Sequence, residues 1–246
     1  DNGTVYIINH PGFYTFFQHP RIAREAKSAP GNIMDLFIEK FEESSNTGLK
    51  SRHSATVVSI MREFERIERN FIEYKSTEHK LIIIILPGNY KKYTIFSYKN
   101  DNDEYMRFIN DVTNMSESVL YMESKKPNRG QLNDEDITTL TEFLQKVGAK
   151  NILLGGEYVG RCQEDFYKQL SESLAGTAIV EIVPELSPVS PDDMNPRMKD
   201  LIGPDNKLDI SAATYNIREN TYEKIESVFR LKNLGSRLLY ERPDGK

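Results

Sequence analysis

The sequence predicts an α/β protein of the doubly wound type, a mainly parallel sheet with helices on both faces. Three observations carry that prediction. Short β-branched or aliphatic runs alternate with longer stretches of helical periodicity, the order expected of strand–helix–strand crossovers. The runs Leu81–Leu86 and Ile152–Leu154 are apolar without alternation, as in strands covered on both faces. Glycine or proline punctuates the strand ends, as in His10-Pro11-Gly12, Pro87-Gly88 and Gly155-Gly156.

Taken in order, Thr4–Asn9 is β-branched and aromatic and reads as the first strand. Phe13–Pro30 reads as an irregular or partly helical loop, and Ile33–Glu43 as a short amphipathic helix. The longest helix signal runs over His53–Lys75, where Val57, Ile60, Met61, Phe64, Ile67, Phe71 and Tyr74 recur at steps of three and four. Its alternating Glu and Arg residues read as a solvated face, with Glu65–Arg69 spaced for an i,i+4 ion pair. Leu81–Leu86 is a buried strand, Tyr93–Tyr98 an edge or hairpin strand, Glu104–Val112 a short helix and Val119–Met122 a core strand. Asn133-Asp134-Glu135-Asp136 suits the positive end of a helix dipole. Ile137, Leu140, Phe143, Leu144 and Val147 form that helix's buried stripe, and Gly148 stops it. Next come the strand Ile152–Leu154, a helix bearing Phe166, Leu170 and Leu174, and the strand Ala178–Val183. Pro184–Pro204 reads as a long surface loop, Ile217–Leu231 as a helix and Leu238–Tyr240 as a last short strand. The expected organisation is one α/β core over residues 1–186, with a proline-rich and helical extension over 187–246 packed on it.

At 246 residues the chain buries a sizeable core without disulfides, and its single cysteine excludes an intrachain one. A net charge of −5 argues against nonspecific nucleic-acid binding, which needs a basic footprint. The four histidines show no zinc-binding spacing, no apolar run reaches the length of a membrane span, and no cofactor motif is present. A small-molecule ligand is the expected partner; the oligomeric state is left open. The start at Asp1 fits a cytoplasmic chain or a processed exported one.

In an open α/β sheet, ligands bind outside the carboxyl ends of the strands. The candidate site residues follow predicted strands at that edge: Asn9 and His10 after the first, Lys125 and Lys126 after a middle one, and Cys162 after the next. Phe13 and Tyr14 beside His10, and Glu157 and Tyr158 in the cysteine turn, are candidate substrate contacts. Each has an ordinary alternative. A lone cysteine after a strand is often a small buried hydrophobe, Gly155-Gly156 lacks the frame of a phosphate loop, and a lysine pair before Pro127 suits a solvated loop.

The order and spacing over Lys125–Cys162, with Leu140, Leu144, Gly148 and Ile152-Leu153-Leu154 between, resemble the isochorismatase-like cysteine hydrolases, the family that contains nicotinamidases. The resemblance implies that Cys162 attacks an amide or related carbon, with Lys125 or Lys126 lowering its pKa. The family's Asp falls at Asn9, which cannot accept a proton from the thiol, and His10 is the substitute at hand. No counterpart of the family's cis-peptide segment is legible, and Tyr158, Arg161 and Gln163 replace the usual residues near the cysteine. The expected function is therefore an altered or degenerate C–N hydrolase site, or else a noncatalytic ligand-binding or interaction protein on the same scaffold.

Overall fold

Five parallel strands form one sheet: β1 (Thr4–Asn9), β2 (Ile82–Leu86), β3 (Val119–Glu123), β4 (Asn151–Gly156) and β5 (Ile179–Ile182), in the spatial order β3-β2-β1-β4-β5. The computed structural model describes residues 3–12, 55–90, 99–126, 129–158 and 161–188, with side chains from position 64 in the first helix and 106 in the second. The helices are α1 (Ala55–Thr77), α2 (Lys99–Thr113), α3 (Asp134–Lys146) and α4 (Cys162–Ser173), and a 3-10 turn at Pro184–Leu186 follows β5. The doubly wound α/β prediction holds. The readings over Phe13–Pro30, Ile33–Glu43, Tyr93–Tyr98, Ile217–Leu231 and Leu238–Tyr240 lie outside the described residues.

The central strands are what their composition dictates: Ile82–Leu86 is buried throughout, and Ile152, Leu153 and Leu154 likewise. Each needs apolar cover on both faces. On one face Val5, Ile7, Ile83, Ile85, Ile152 and Leu154 pack against Leu140 and Leu144 of α3 and Phe166 and Leu170 of α4. On the other, Tyr6 meets Phe71 of α1 edge-to-face at 5.2 Å. The predicted Glu65–Arg69 pair forms at 3.5 Å, and Arg69 also reaches Asp111 at 3.5 Å and lies over the Phe108 ring, tying α1 to α2.

Helix α3 starts where its acidic residues predict. Asn133 Oδ1 accepts from Asp136 N–H, and Asp134, Glu135 and Asp136 fill the first turn. Gly148 ends it at φ +72°, a conformation that favours glycine.

Four readings are corrected. Val147 belongs to the cap of α3 and is 46% exposed, because the chain has left helical geometry there. Tyr74 is 39% exposed, its ring facing the Lys75 ammonium at 4.9 Å rather than the core. Helix α2 begins at Lys99, before the expected Glu104. Strand β3 has a neighbour on one side only among the described strands, and Leu120 and Tyr121 are exposed, so it is an edge rather than a core strand.

Candidate functional site

The strand order reverses between β1 and β4. From β1 the chain winds out through β2 and β3, then returns to β4 and continues to β5 on the far side. The crevice at the carboxyl ends of β1 and β4 is therefore the topological switch point, where open α/β sheets receive ligands. Asn9 is opposite Gly156 in the register there. Gly156 has φ +97°, and a Cβ on it would collide with the Asn9 backbone. The close approach lets Glu157 N–H donate to Asn9 O at 2.8 Å and Asn9 Nδ2 donate to Glu157 O at 2.9 Å.

Successive residues leaving β1 reach different partners. Asn9 belongs with the cysteine: a Cβ on Gly130 would strike the Cys162 carbonyl and lie 3.2 Å from Asn9 Nδ2, so only glycine lets these three meet. His10, at φ +48°, instead hydrogen-bonds Ser124 Oγ through Nε2 at 3.0 Å. Ser124 Oγ donates to Lys126 O at 2.8 Å and accepts from Gly88 N–H at 3.0 Å. Its one proton is thus spent, so Nε2 of His10 carries the proton of their shared bond. The chain leaving β3 touches β2 and His10 at Ser124, then Asn9 and Cys162 at Gly130. Burial drives the His10 pKa down to about 3, so the ring is neutral.

Cys162 opens helix α4, as its spacing predicts, and is partly buried. Its surroundings oppose ionisation. Burial, then the Asp165 carboxylate, push the thiol up to about 11; Glu157 adds to this, while its own backbone N–H and Arg129 pull the other way. Among the described residues Arg129 is the cation acting there, and it is shared with Asp165 at 3.0 Å. Lys125 and Lys126 have exposed side chains; their backbones are fixed by Lys125 N–H to Gln131 O at 2.8 Å and Arg129 N–H to Lys126 O at 3.3 Å. Among the candidate substrate contacts, Glu157 and Tyr158 are buried, and Phe13 and Tyr14 lie outside the described residues.

Several site residues were not among those expected. The Glu157–Tyr158 peptide, between β4 and the cysteine, is cis. Gln163 donates through Nε2 to Gly156 O at 3.0 Å and to Ser187 Oγ at 2.8 Å, binding the first turn of α4 to the β4 exit. Glu68 corrects the solvated-face reading of α1. It is 0% exposed and accepts from Gly12 N–H at 3.1 Å through Oε2. Burial, followed by the Glu157 charge, raises its pKa well above the usual carboxylate range. The sequence did hold a signal for this: Glu68 stands four residues from both Phe64 and Ile72, on the apolar stripe.

Fold and site together define a doubly wound α/β protein with buried polar side chains at its switch point and a partly buried cysteine beside them. No family model matches the chain, and no curated protein matches it. Among solved structures it is similar to the nicotinamidase/pyrazinamidase of Bacillus subtilis at 10% sequence identity, over 94% of this chain and 99% of that one, with a TM-score of 0.38. A likeness of that size bears on neither the activity nor the role of any residue here. No group of three or more His, Cys, Asp or Glu is placed to hold a metal ion among the described residues. Nor is any helix among them long and apolar enough to cross a membrane.

Proposed function

We propose that the switch-point crevice binds a small molecule without covalent turnover: a cysteine-hydrolase-like arrangement whose nucleophile is held as the thiol. The observation that carries this reading is the setting of Cys162: partly buried, with Asp165 and Glu157 beside it, its thiol is pushed up to about 11 and stays protonated at pH 7. The thiolate is the attacking species, so a competent site needs either a lower pKa or a base in contact. Asn9 supplies no base. It already donates to Glu157 O, and an amide nitrogen holds no proton-accepting lone pair at neutral pH. His10 is committed through Nε2 to Ser124. The buried Asn9, His10, Ser124 and Glu157 give the crevice polar groups suited to orienting a ligand.

The hydrolase reading keeps one supporting placement, Cys162 at the start of a helix beside Asn9 and Gly130. The two readings part on the pH dependence of Cys162 alkylation by iodoacetamide in the folded protein. Noncovalent binding requires slow labelling that rises without levelling through pH 9, and full labelling after denaturation. An inflection below about 8, under the free-cysteine value, would refute it and leave the hydrolase.

A further inference from the structure

A cavity of about 630 Å³ lies at the amino-terminal edge of the sheet, where β4 and β5 begin, at the opposite end of β4 from the cysteine turn. Lys150, Asn151, Tyr167, Ser171, Ala178 and Val180 are among the residues that line it. Its volume is in the range of small-molecule sites. The apolar floor is continuous with the core: Val180 belongs to the buried cluster, and Tyr167 and Ala178 pack against it. The cavity opens to solvent beside Gly176, where a Cβ would meet nothing within 4 Å.

Two lining groups have donors to spare. On the helices, Thr113, Thr138, Thr139, Thr141 and Ser173 each turn the hydroxyl back to the carbonyl four residues earlier, at 2.7–2.9 Å. Ser171, on the same helix as Ser173, does not. Its Oγ is buried without a hydrogen-bond partner among the described residues, a state that native interiors rarely leave uncompensated. Lys150 is exposed and forms no ion pair among the described residues. Its backbone is fixed on both sides, by Lys150 N–H to Gly3 O at 2.7 Å and Ile179 N–H to Lys150 O at 2.9 Å, so its side chain springs from a rigid point. Lys150 is also the one charged residue among the described residues lining the cavity. The negative end of the α4 dipole is nearby, but it is capped: Thr177 N–H, Thr177 Oγ1 and Ala178 N–H all donate to Leu174 O at 2.8–3.2 Å. A full positive charge, a spare hydroxyl and an apolar floor match a monoanion with an apolar body.

We propose that the cavity between the start of β4 and β5 and the end of α4, with Lys150 and Ser171 as its polar contacts, is a second ligand site that takes a small organic carboxylate. The site is separate from the switch point and does not depend on what binds there. Calorimetric titration of the full chain with benzoate, benzamide and benzamidine tests it, because the three share a shape and differ in charge. Benzoate binds with a Kd of about 1 mM or tighter, and the neutral and cationic probes bind about tenfold more weakly or not at all. Lys150→Gln lowers benzoate affinity about tenfold and Ser171→Ala about threefold. Ala175→Phe, at an exposed lining position, fills the cavity without touching the core and abolishes binding. Absence of benzoate binding, or benzamide or benzamidine binding as tightly, would overturn the proposal. Unchanged benzoate affinity in both Lys150→Gln and Ala175→Phe would place the anion elsewhere and overturn it too. In the unmutated chain, saturating benzoate leaves the alkylation rate of Cys162 at alkaline pH unchanged; protection of the thiol would move the anion to the switch point and overturn the assignment.

Discussion

Acidification should weaken this fold through His10 in a way that can be isolated and measured. The buried ring has a pKa of about 3 in the folded chain, against an ordinary 6.5. A base whose folded pKa is depressed contributes stability that is present above its unfolded pKa and lost as pH falls toward the folded value. Here the window opens near pH 6.5 and closes near pH 3. At about 1.36 kcal/mol per pH unit, the loss reaches about 2 kcal/mol by pH 5 and about 5 kcal/mol across the whole window. The pH 5 figure depends almost wholly on the unfolded value, because pH 5 is still well above the folded pKa. The assay is urea unfolding of the protein and of His10→Gln at about pH 7.5 and pH 5. Subtracting one protein from the other cancels the titration of every other group. At pH 7.5 the variant is less stable by about 1–3 kcal/mol, having disturbed a buried hydrogen bond. At pH 5 that deficit should shrink or reverse by about 2 kcal/mol, about 4–8 °C in Tm for a chain of this size. A deficit that is the same at both pH values would refute the account of His10 as a buried neutral ring.

Other perturbations follow from the same site. Glu68→Gln should raise Tm at pH 8 and change it little at pH 4: with a raised folded pKa, the wild-type carboxyl loses stability as pH rises above its unfolded value, and glutamine does not. Asn9→Asp should not restore a hydrolase. It replaces the donor to Glu157 O with a buried carboxylate, costing about 2–5 kcal/mol at neutral pH by denaturant unfolding, and leaves amide hydrolysis at background. Gly130→Ala sets a methyl against the Cys162 carbonyl, so it should cost about 1–3 kcal/mol and accelerate native alkylation of Cys162. Equal labelling rates would show that Gly130 does not hold that turn in place.

The sheet was legible because its signal is local and redundant. Ile82–Leu86 and Ile152–Leu154 have no polar residue to turn outward, and the turn residues after them mark where each strand stops. The position of Cys162 followed from the same counting. What sequence could not supply was the order of the strands, and with it the side of the crevice each polar residue serves. Asn9 and His10 are adjacent in sequence and read as alternatives for one role, yet one meets Gly130 and the other Ser124. The thiol's environment was misjudged for a related reason. Lys125 and Lys126 were the conspicuous charges, but burial acts first on Cys162, and the chain then brings Asp165 and Glu157 to bear on it against Arg129. Edge strand β3 was misread because Val119–Met122 is apolar enough for a core, and burial depends on neighbours that a short run does not specify.

The doubly tethered Asn9 also bears on the chemical lifetime of the chain. Asparagine ages to aspartate when the next backbone nitrogen attacks its side-chain carbonyl carbon and closes a five-membered imide, one reason it counts among thermolabile residues. At Asn9 that nitrogen belongs to His10, and its N–H is bonded to Ile85 O at 2.7 Å. The leaving amide is likewise held on Glu157 O. Both partners of the ring closure are occupied, so the fold protects this residue from becoming an acid at the position that faces Gly130 and the Cys162 carbonyl. The chain keeps its amide for as long as it stays folded.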